Sequence, residues 1–326
     1  MHFVRLTRKS RRAVVTGAMM MLFGCLLPGA AATAEPPKVV ASILPIHSLA
    51  AAVMAGVAEP ELLVEGAASP HSFSLKPSDA RALDEADLVI WVGPGLELFL
   101  QRPLANLGEG VRVLTVSELG NLNLLPVRSS GLHVDPEGKA HHHGHGHHDD
   151  DGGKDLHLWL DPANGAAIGR TLAEVLAELD PLSADRYREN AERLTAELGA
   201  LEEGIQRQLA PYRGQEFLVF HDAYQYFEEA FSLRSAGSIA LDPERQPGAR
   251  RLQQIRDRIG EKEAVCVFAE PQFEPRLLSM LVEGTQARLG QLDPLGATLE
   301  PGSEAYVALL GGIADNFAAC FEHQQQ

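Results

Sequence analysis

The sequence predicts two α/β lobes, each built on a parallel sheet, with a helical connection between them. Two observations lead there. Short runs rich in Val and Ile alternate with amphipathic segments in the first half of the chain, and the same alternation resumes in the second half. The 326 residues, 45% of them apolar, are also enough for two ordinary domains with proper cores.

In the first half the strand-like runs are Lys38-Leu44, Glu61-Val64, Leu88-Gly93 and Val111-Leu114. In the second half they are Phe217-Phe220, Leu233-Ile239, Ala264-Phe268 and Gln286-Gly290. Helical segments lie between successive runs, as βαβ units require. Two more helices are expected in the middle. Pro162-Leu179 can be capped by Asp161 with Pro162 at its first position. A longer one opens at Ser183, where Tyr187, Ala191, Leu194, Leu198, Leu201, Ile205 and Leu209 step by three or four and form one apolar face. That stripe reads as core packing. The expected organisation is therefore an N-terminal lobe over 35–161, a connecting helix over 162–180 and a C-terminal lobe over 181–326.

Residues 1–34 read as an export signal. Arg5, Arg8, Lys9, Arg11 and Arg12 precede an apolar run from Ala13 to Leu27, and Ala32-Thr33-Ala34 ahead of Glu35 fits signal-peptidase cleavage. Leu22-Phe23-Gly24-Cys25 is a poor lipobox because Phe stands where a small residue is preferred, and Ser10-Arg11-Arg12 is only a partial twin-arginine signal. No later run is apolar for the 18 or more residues that a membrane helix needs. The mature chain is expected to be soluble and extracytoplasmic. Its charge argues against nucleic acid: the net −16 of the full chain becomes more negative by five once those basic residues leave. Cys25 leaves as well, so Cys266 and Cys320 remain in a compartment where disulfides persist, and pairing is expected.

One segment, from about 128 to 153, has the polar, Gly-rich composition of a loop without a core. At its centre are His141, His142, His143, His145, His147 and His148, followed by Asp149-Asp150-Asp151. An expression tag would sit at a terminus, whereas this run interrupts a domain. Clustered imidazoles bind zinc whether or not they are ordered, so these residues are candidate auxiliary sites.

Outside that segment and the tail few histidines remain, and three stand where an α/β sheet presents ligands. His71 lies in the turn Gly66-Ala67-Ala68-Ser69-Pro70-His71 after a strand, His157 precedes a helix, and His221 directly follows the strand Phe217-Phe220. Strand ends in open α/β sheets line the ligand crevice. Asp293 follows Gln286-Gly290 in the same way. Three imidazoles with a carboxylate or water suit tetrahedral Zn2+, whereas oxygen-rich sets favour Mn2+, Mg2+ or Ca2+. His47, at the start of a helix after the first strand, reads as a packed histidine. Trp91 and Trp159 read as packing residues, with Trp159 placed to help keep a site at His157 dry.

The longer motifs carry a resemblance. Ala41-Ser42-Ile43-Leu44-Pro45, Ser69-Pro70-His71-Ser72-Phe73-Ser74-Leu75-Lys76-Pro77-Ser78-Asp79, His157-Leu158-Trp159-Leu160-Asp161-Pro162, Phe220-His221-Asp222-Ala223-Tyr224 and Leu292-Asp293-Pro294-Leu295-Gly296 resemble the cluster A-I metal-binding proteins of ABC importers. The motifs are ordered and cover nearly the whole mature chain. The His-rich segment is similar to that of the zinc-specific branch. The resemblance implies two Rossmann-like lobes joined by a long rigid helix, with metal in the cleft between them. It implies His71, His157 and His221 as ligands and Asp293 as part of the metal pocket. The manganese branch carries Glu at the third ligand position, where this chain has His221. Some zinc members carry Glu immediately before the first ligand, where this chain has Pro70, so the fourth position falls to Asp293, water or a loop histidine. Cys266 and Cys320 match a disulfide pair of similar proteins.

The implied function is a monomeric periplasmic solute-binding protein that captures Zn2+ and hands it to a membrane permease with its cytoplasmic ATPase. Three alternatives have their own tests. Manganese would be carried by the same class of protein, and a zinc hydrolase would need a general base. No recognised zinc-hydrolase motif places one. A zinc buffer or adhesin would lack a transporter.

Overall fold

The computed structural model describes residues 1–2, 35–128, 153–261, 266–273 and 276–322. The expected signal segment and the histidine run lie outside the described residues.

Among the described residues eight strands form two parallel four-stranded sheets. The first holds β1 (Val39–Ile43), β2 (Glu61–Val64), β3 (Leu88–Trp91) and β4 (Arg112–Thr115) in the order β2-β1-β3-β4. The second holds β5 (Glu216–Val219), β6 (Arg234–Ser238), β7 (Cys266–Ala269) and β8 (Arg288–Gln291) in the order β6-β5-β7-β8. Every residue of β1, β3 and β7 is buried. Central parallel strands are covered on both faces, which is why they read as continuous apolar runs. The two orders match, and each reverses direction between its first and third strand. A reversal of this kind opens a crevice at the carboxyl ends of β1 and β3 in one sheet and of β5 and β7 in the other.

Helix α1 (Leu44–Met54) follows β1 directly, and α2 (Pro77–Glu85) and α3 (Leu98–Ala105) precede β3 and β4. Between the sheets run α4 (Pro162–Leu179) and the 26-residue α5 (Ala184–Leu209). Asp161 caps α4 by accepting the Ala163 N–H at 2.8 Å, with Pro162 at the first turn. The stripe of α5 faces inward: Tyr187, Ala191, Leu194, Leu198, Ile205 and Leu209 are buried. Asn190 on the same helix donates to Val53 O at 2.7 Å and Ala55 O at 2.9 Å, satisfying carbonyls at the end of α1. Helices α6 (Gln225–Phe231), α7 (Ala249–Glu261), α8 (Arg276–Val282) and α9 (Ala305–Glu322) complete the second half.

One cluster of buried side chains runs from Val39, Ile43 and Ile90 through Leu176 and Leu198 to Phe217, Phe268 and Phe317, so both sheets share it. A smaller cluster around Leu218, Ile239, Ile255 and Leu281 covers the other face of the second sheet. Helix α9 is fixed at both ends. Near its start the Tyr306 N–H donates to Ser48 Oγ at 2.8 Å, and the Tyr306 hydroxyl donates to Trp159 O. A side chain at Gly165 would run into the Tyr306 ring, so that approach needs glycine. Near its end Cys320 is disulfide-bonded to Cys266 on β7. No described helix is long and apolar enough to cross a membrane.

Candidate metal centre

His221 stands two residues beyond β5 and Glu270 directly beyond β7, at the carboxyl ends of two neighbouring strands. His71 comes from the loop after β2, where its backbone N–H donates to Ser69 Oγ at 3.3 Å. His157 immediately precedes the short 3-10 turn Leu158–Leu160. Together these segments bring ligand atoms of His71, His157 and His221 within 4.8 Å of one another. The pocket around them is walled by Pro70, Leu96, Trp159, Phe273, Pro294 and Leu295.

The outer nitrogens of two imidazoles are committed. His157 Nδ1 lies 2.8 Å from Asp155 Oδ1, which also accepts the His157 N–H at 3.0 Å. His221 Nδ1 lies 2.8 Å from Glu270 Oε1. A carboxylate only accepts, so each Nδ1 is the donor. Each Nε2 is then left with a lone pair when the ring is neutral, and the two Nε2 atoms face each other at 3.3 Å. Two lone pairs at that distance repel unless positive charge lies between them. Two nitrogens bound to zinc at about 2.0–2.1 Å with a tetrahedral angle would be about 3.3 Å apart. The spacing fits that geometry.

Electrostatics favour a cation here. Burial opposes charge on His221, but the negative charge and hydrogen bond of Glu270, with Asp222 and Asp155 beyond, outweigh it and hold the pKa above the ordinary imidazole value. The side chain of His157 is only 13% exposed. Trp159 is fully buried against it, at 5.5 Å between rings, with its indole N–H on Pro294 O at 2.8 Å. Phe273 closes the other side, 5.8 Å from the His221 ring. These apolar walls lower the local dielectric and strengthen every charge interaction inside.

The other residues singled out from the sequence take different places. His47 is buried on α1 with Nε2 3.0 Å from Pro60 O, and burial lowers its pKa against that hydrogen bond. Trp91 donates to Thr115 Oγ1 at 3.0 Å, a packing role. The carboxylate of Asp293 accepts from Gln272 Nε2 at 2.9 Å and from the N–H groups of Leu295, Gly296 and Ala297. It therefore closes a turn in which Gly296 has φ +76° and no room for a side chain against Leu44. His141, His142, His143, His145, His147 and His148 fall outside the described residues.

Asp155 and Glu270 were not singled out from the sequence. The rule that selected His221 applies equally to Glu270, since both follow a predicted strand. Asp155 carried a weaker signal, its spacing of two from His157.

The chain matches the family ZnuA, "Zinc-uptake complex component A periplasmic", over residues 39–320. It is 43% identical over 318 residues to the high-affinity zinc uptake system protein ZnuA of Brucella abortus (strain 2308), covering 90% of this chain and 94% of that one. The protein of the same name from Yersinia pestis is 39% identical, covering 87% of this chain and 91% of its own. A solved structure titled "Crystal structure of ZnuA" superposes with a TM-score of 0.72 at 25% identity, covering 88% of this chain and 99% of that one. With most of its length matched to that family and to relatives well above 30% identity, this chain belongs to the ZnuA family of periplasmic zinc-uptake components.

Proposed function

We propose that this protein captures Zn2+ through His71, His157 and His221 and delivers it to the membrane permease of an ABC importer driven by a cytoplasmic ATPase. The observation that carries the ligand set is the pair of Nε2 atoms 3.3 Å apart, each imidazole held by a carboxylate at its far nitrogen. Nitrogen donors favour zinc over manganese, which prefers oxygen. The family is one of solute-binding transport proteins, which sets the hydrolase alternative aside.

In this reading Asp155 and Glu270 orient the rings and raise their basicity, as outer partners of metal-bound histidines do. Asp293 supports the pocket through its turn, and the fourth position falls to Asp293, water or a histidine of 141–148. The protein works as an exported monomer, with residues 1–34 as the signal, and the histidines of 141–148 form weaker auxiliary sites. Metal analysis of protein isolated without added metal tests the reading, joined to Zn/Mn competition on the wild type and His221→Glu. One zinc per cleft is expected, with a shift toward Mn2+ in the variant. Bound manganese in the wild type would overturn it.

A further inference from the structure

Arg128 lies in a short stem that belongs to the N-terminal half of the chain. The stem pairs through one isolated bridge with the run before His157: Val127 N–H donates to Gly153 O at 2.6 Å, Asp155 N–H donates to Leu125 O at 2.9 Å, and Pro126 pairs with Lys154. The same Asp155 holds the His157 ring. The stem thus carries one metal-facing histidine at its end.

The turn opposite carries another. Asp222 is next to His221, and the Ala223 N–H closes on His221 O at 2.9 Å, so the side chain of Asp222 and the backbone of His221 share one tight turn. Across the gap Arg128 engages both oxygens of Asp222 and both oxygens of Glu228: Nε to Asp222 Oδ2 at 3.2 Å, Nη2 to Asp222 Oδ1, Nη1 to Glu228 Oε2 at 2.8 Å and Nη2 to Glu228 Oε1 at 3.0 Å. Glu228 is 3% exposed and also accepts the Ser235 N–H at 3.1 Å, which anchors this end to β6. A second link runs beside the first: the Leu125 N–H donates to the Tyr226 hydroxyl at 3.0 Å, and that hydroxyl donates to Asp155 O at 2.7 Å. Nothing in the chemistry of metal capture requires a guanidinium here. Its fork geometry does fit two carboxylates at once, which the point charge of lysine does not.

We infer that Arg128 is a positioning residue for the captured zinc, clamping the stem that carries His157 to the turn that carries His221 and so fixing the separation of those two ligands. The inference rests on the zinc-capture reading above. A first-row metal held by two imidazoles tolerates little change in their spacing, and a fork lost from between the two halves frees that spacing without removing a ligand.

The test uses Arg128→Lys in the full mature chain, because Arg128→Ala would leave the buried Glu228 carboxylate unpaired and endanger folding. Zinc affinity is read by chelator competition and ligand geometry by the visible absorption of Co2+ bound alone. Arg128→Lys is expected to bind zinc at least tenfold more weakly, to release it to a chelator correspondingly faster and to change the Co2+ spectrum. Asp222→Asn carries the same test if Arg128→Lys does not fold, since it weakens only the link to the His221 turn and leaves the Arg128–Glu228 pair. Wild-type zinc affinity together with a wild-type Co2+ spectrum in the variant that folds would overturn the inference, whatever happens to the melting temperature. His157→Ala serves as control: were it to bind zinc as the wild type does, the capture reading would fall and this inference with it. If the control loses zinc and the folded variant does not, the inference alone falls.

Discussion

His221 and Glu270 meet across neighbouring strands: Nδ1 of the imidazole lies 2.8 Å from the carboxylate, and Glu270 is 2% exposed. The pair joins the carboxyl end of β5 to that of β7. A carboxylate in this place fixes the tautomer, makes Nε2 more basic and raises the imidazole pKa. Glu270→Gln keeps a hydrogen-bond acceptor and removes the charge. Zinc affinity at neutral pH should fall tenfold to about a hundredfold.

The pH dependence has a definite sign. Protons compete with zinc for Nε2, so wild-type affinity falls as pH drops through the raised pKa of His221. In Glu270→Gln that pKa drops, and the loss of affinity should begin at lower pH than in the wild type. Competition titrations between about pH 5 and 8 check this, and identical profiles would remove Glu270 from its role.

Replacing each of His71, His157 and His221 by Ala should weaken zinc binding well over tenfold, since each removes a proposed donor. His47→Ala should leave zinc binding alone and lower stability, because its ring packs in α1 and bonds Pro60 O. Calorimetry on a background lacking residues 133–151 separates the two outcomes.

Asp293→Ala strips the acceptor from three backbone N–H groups and from Gln272. The cost should be about 1–3 kcal/mol, seen as a lowered melting temperature. Zinc affinity should fall less than in any of the three histidine variants. A loss as large as theirs would make Asp293 a ligand.

The Cys266–Cys320 bridge closes a loop of sequence separation 54. Chain-entropy reasoning assigns such a loop about 4 kcal/mol. Reduction should therefore lower the melting temperature more than it lowers zinc affinity, since neither cysteine lines the pocket. Differential scanning with and without reductant, paired with a zinc titration, measures both.

Deleting residues 133–151 should reduce the number of zinc ions bound and spare the tight cleft site. A polar, Gly-rich segment must spend conformational entropy on ordering its histidines around a metal. Equilibrium titration of the intact and deleted chains decides the matter, and loss of the tight site would place a loop histidine in it.

The central strands were legible because parallel strands covered on both faces need apolar residues there, so Val39–Ile43 and Leu88–Trp91 announce themselves, whereas the edge strands Arg112–Thr115 and Arg288–Gln291 are half exposed and carry a weaker signal. The three histidines could be singled out by their place after or beside predicted elements, and the structure brings them together. Glu270 was harder. Its nearness to His221 depends on β5 and β7 being neighbours, a fact of strand order that local sequence does not state. Arg128 was harder still, because it stands at the edge of a polar segment and nothing local signals that its guanidinium is enclosed by Asp222 and Glu228. Asp293 read as a pocket residue from its strand-end position, while its hydrogen bonds to the following turn depend on backbone geometry.

The buried cluster that passes from Ile43 through Leu198 to Phe317 gives the two sheets one shared interior, beside which only the smaller cluster around Leu218 and Ile255 belongs to the second sheet alone. Either half expressed alone would expose the apolar residues that it contributes to the shared cluster. Melting of the region it spans is then a shared event, and occupancy of the cleft is felt far from the cleft. A ligand that binds only the folded form adds about 2.7 kcal/mol when present at a hundred times its dissociation constant. Loaded molecules would therefore outlast empty ones wherever proteases sample unfolded chains, making persistence itself a record of metal supply.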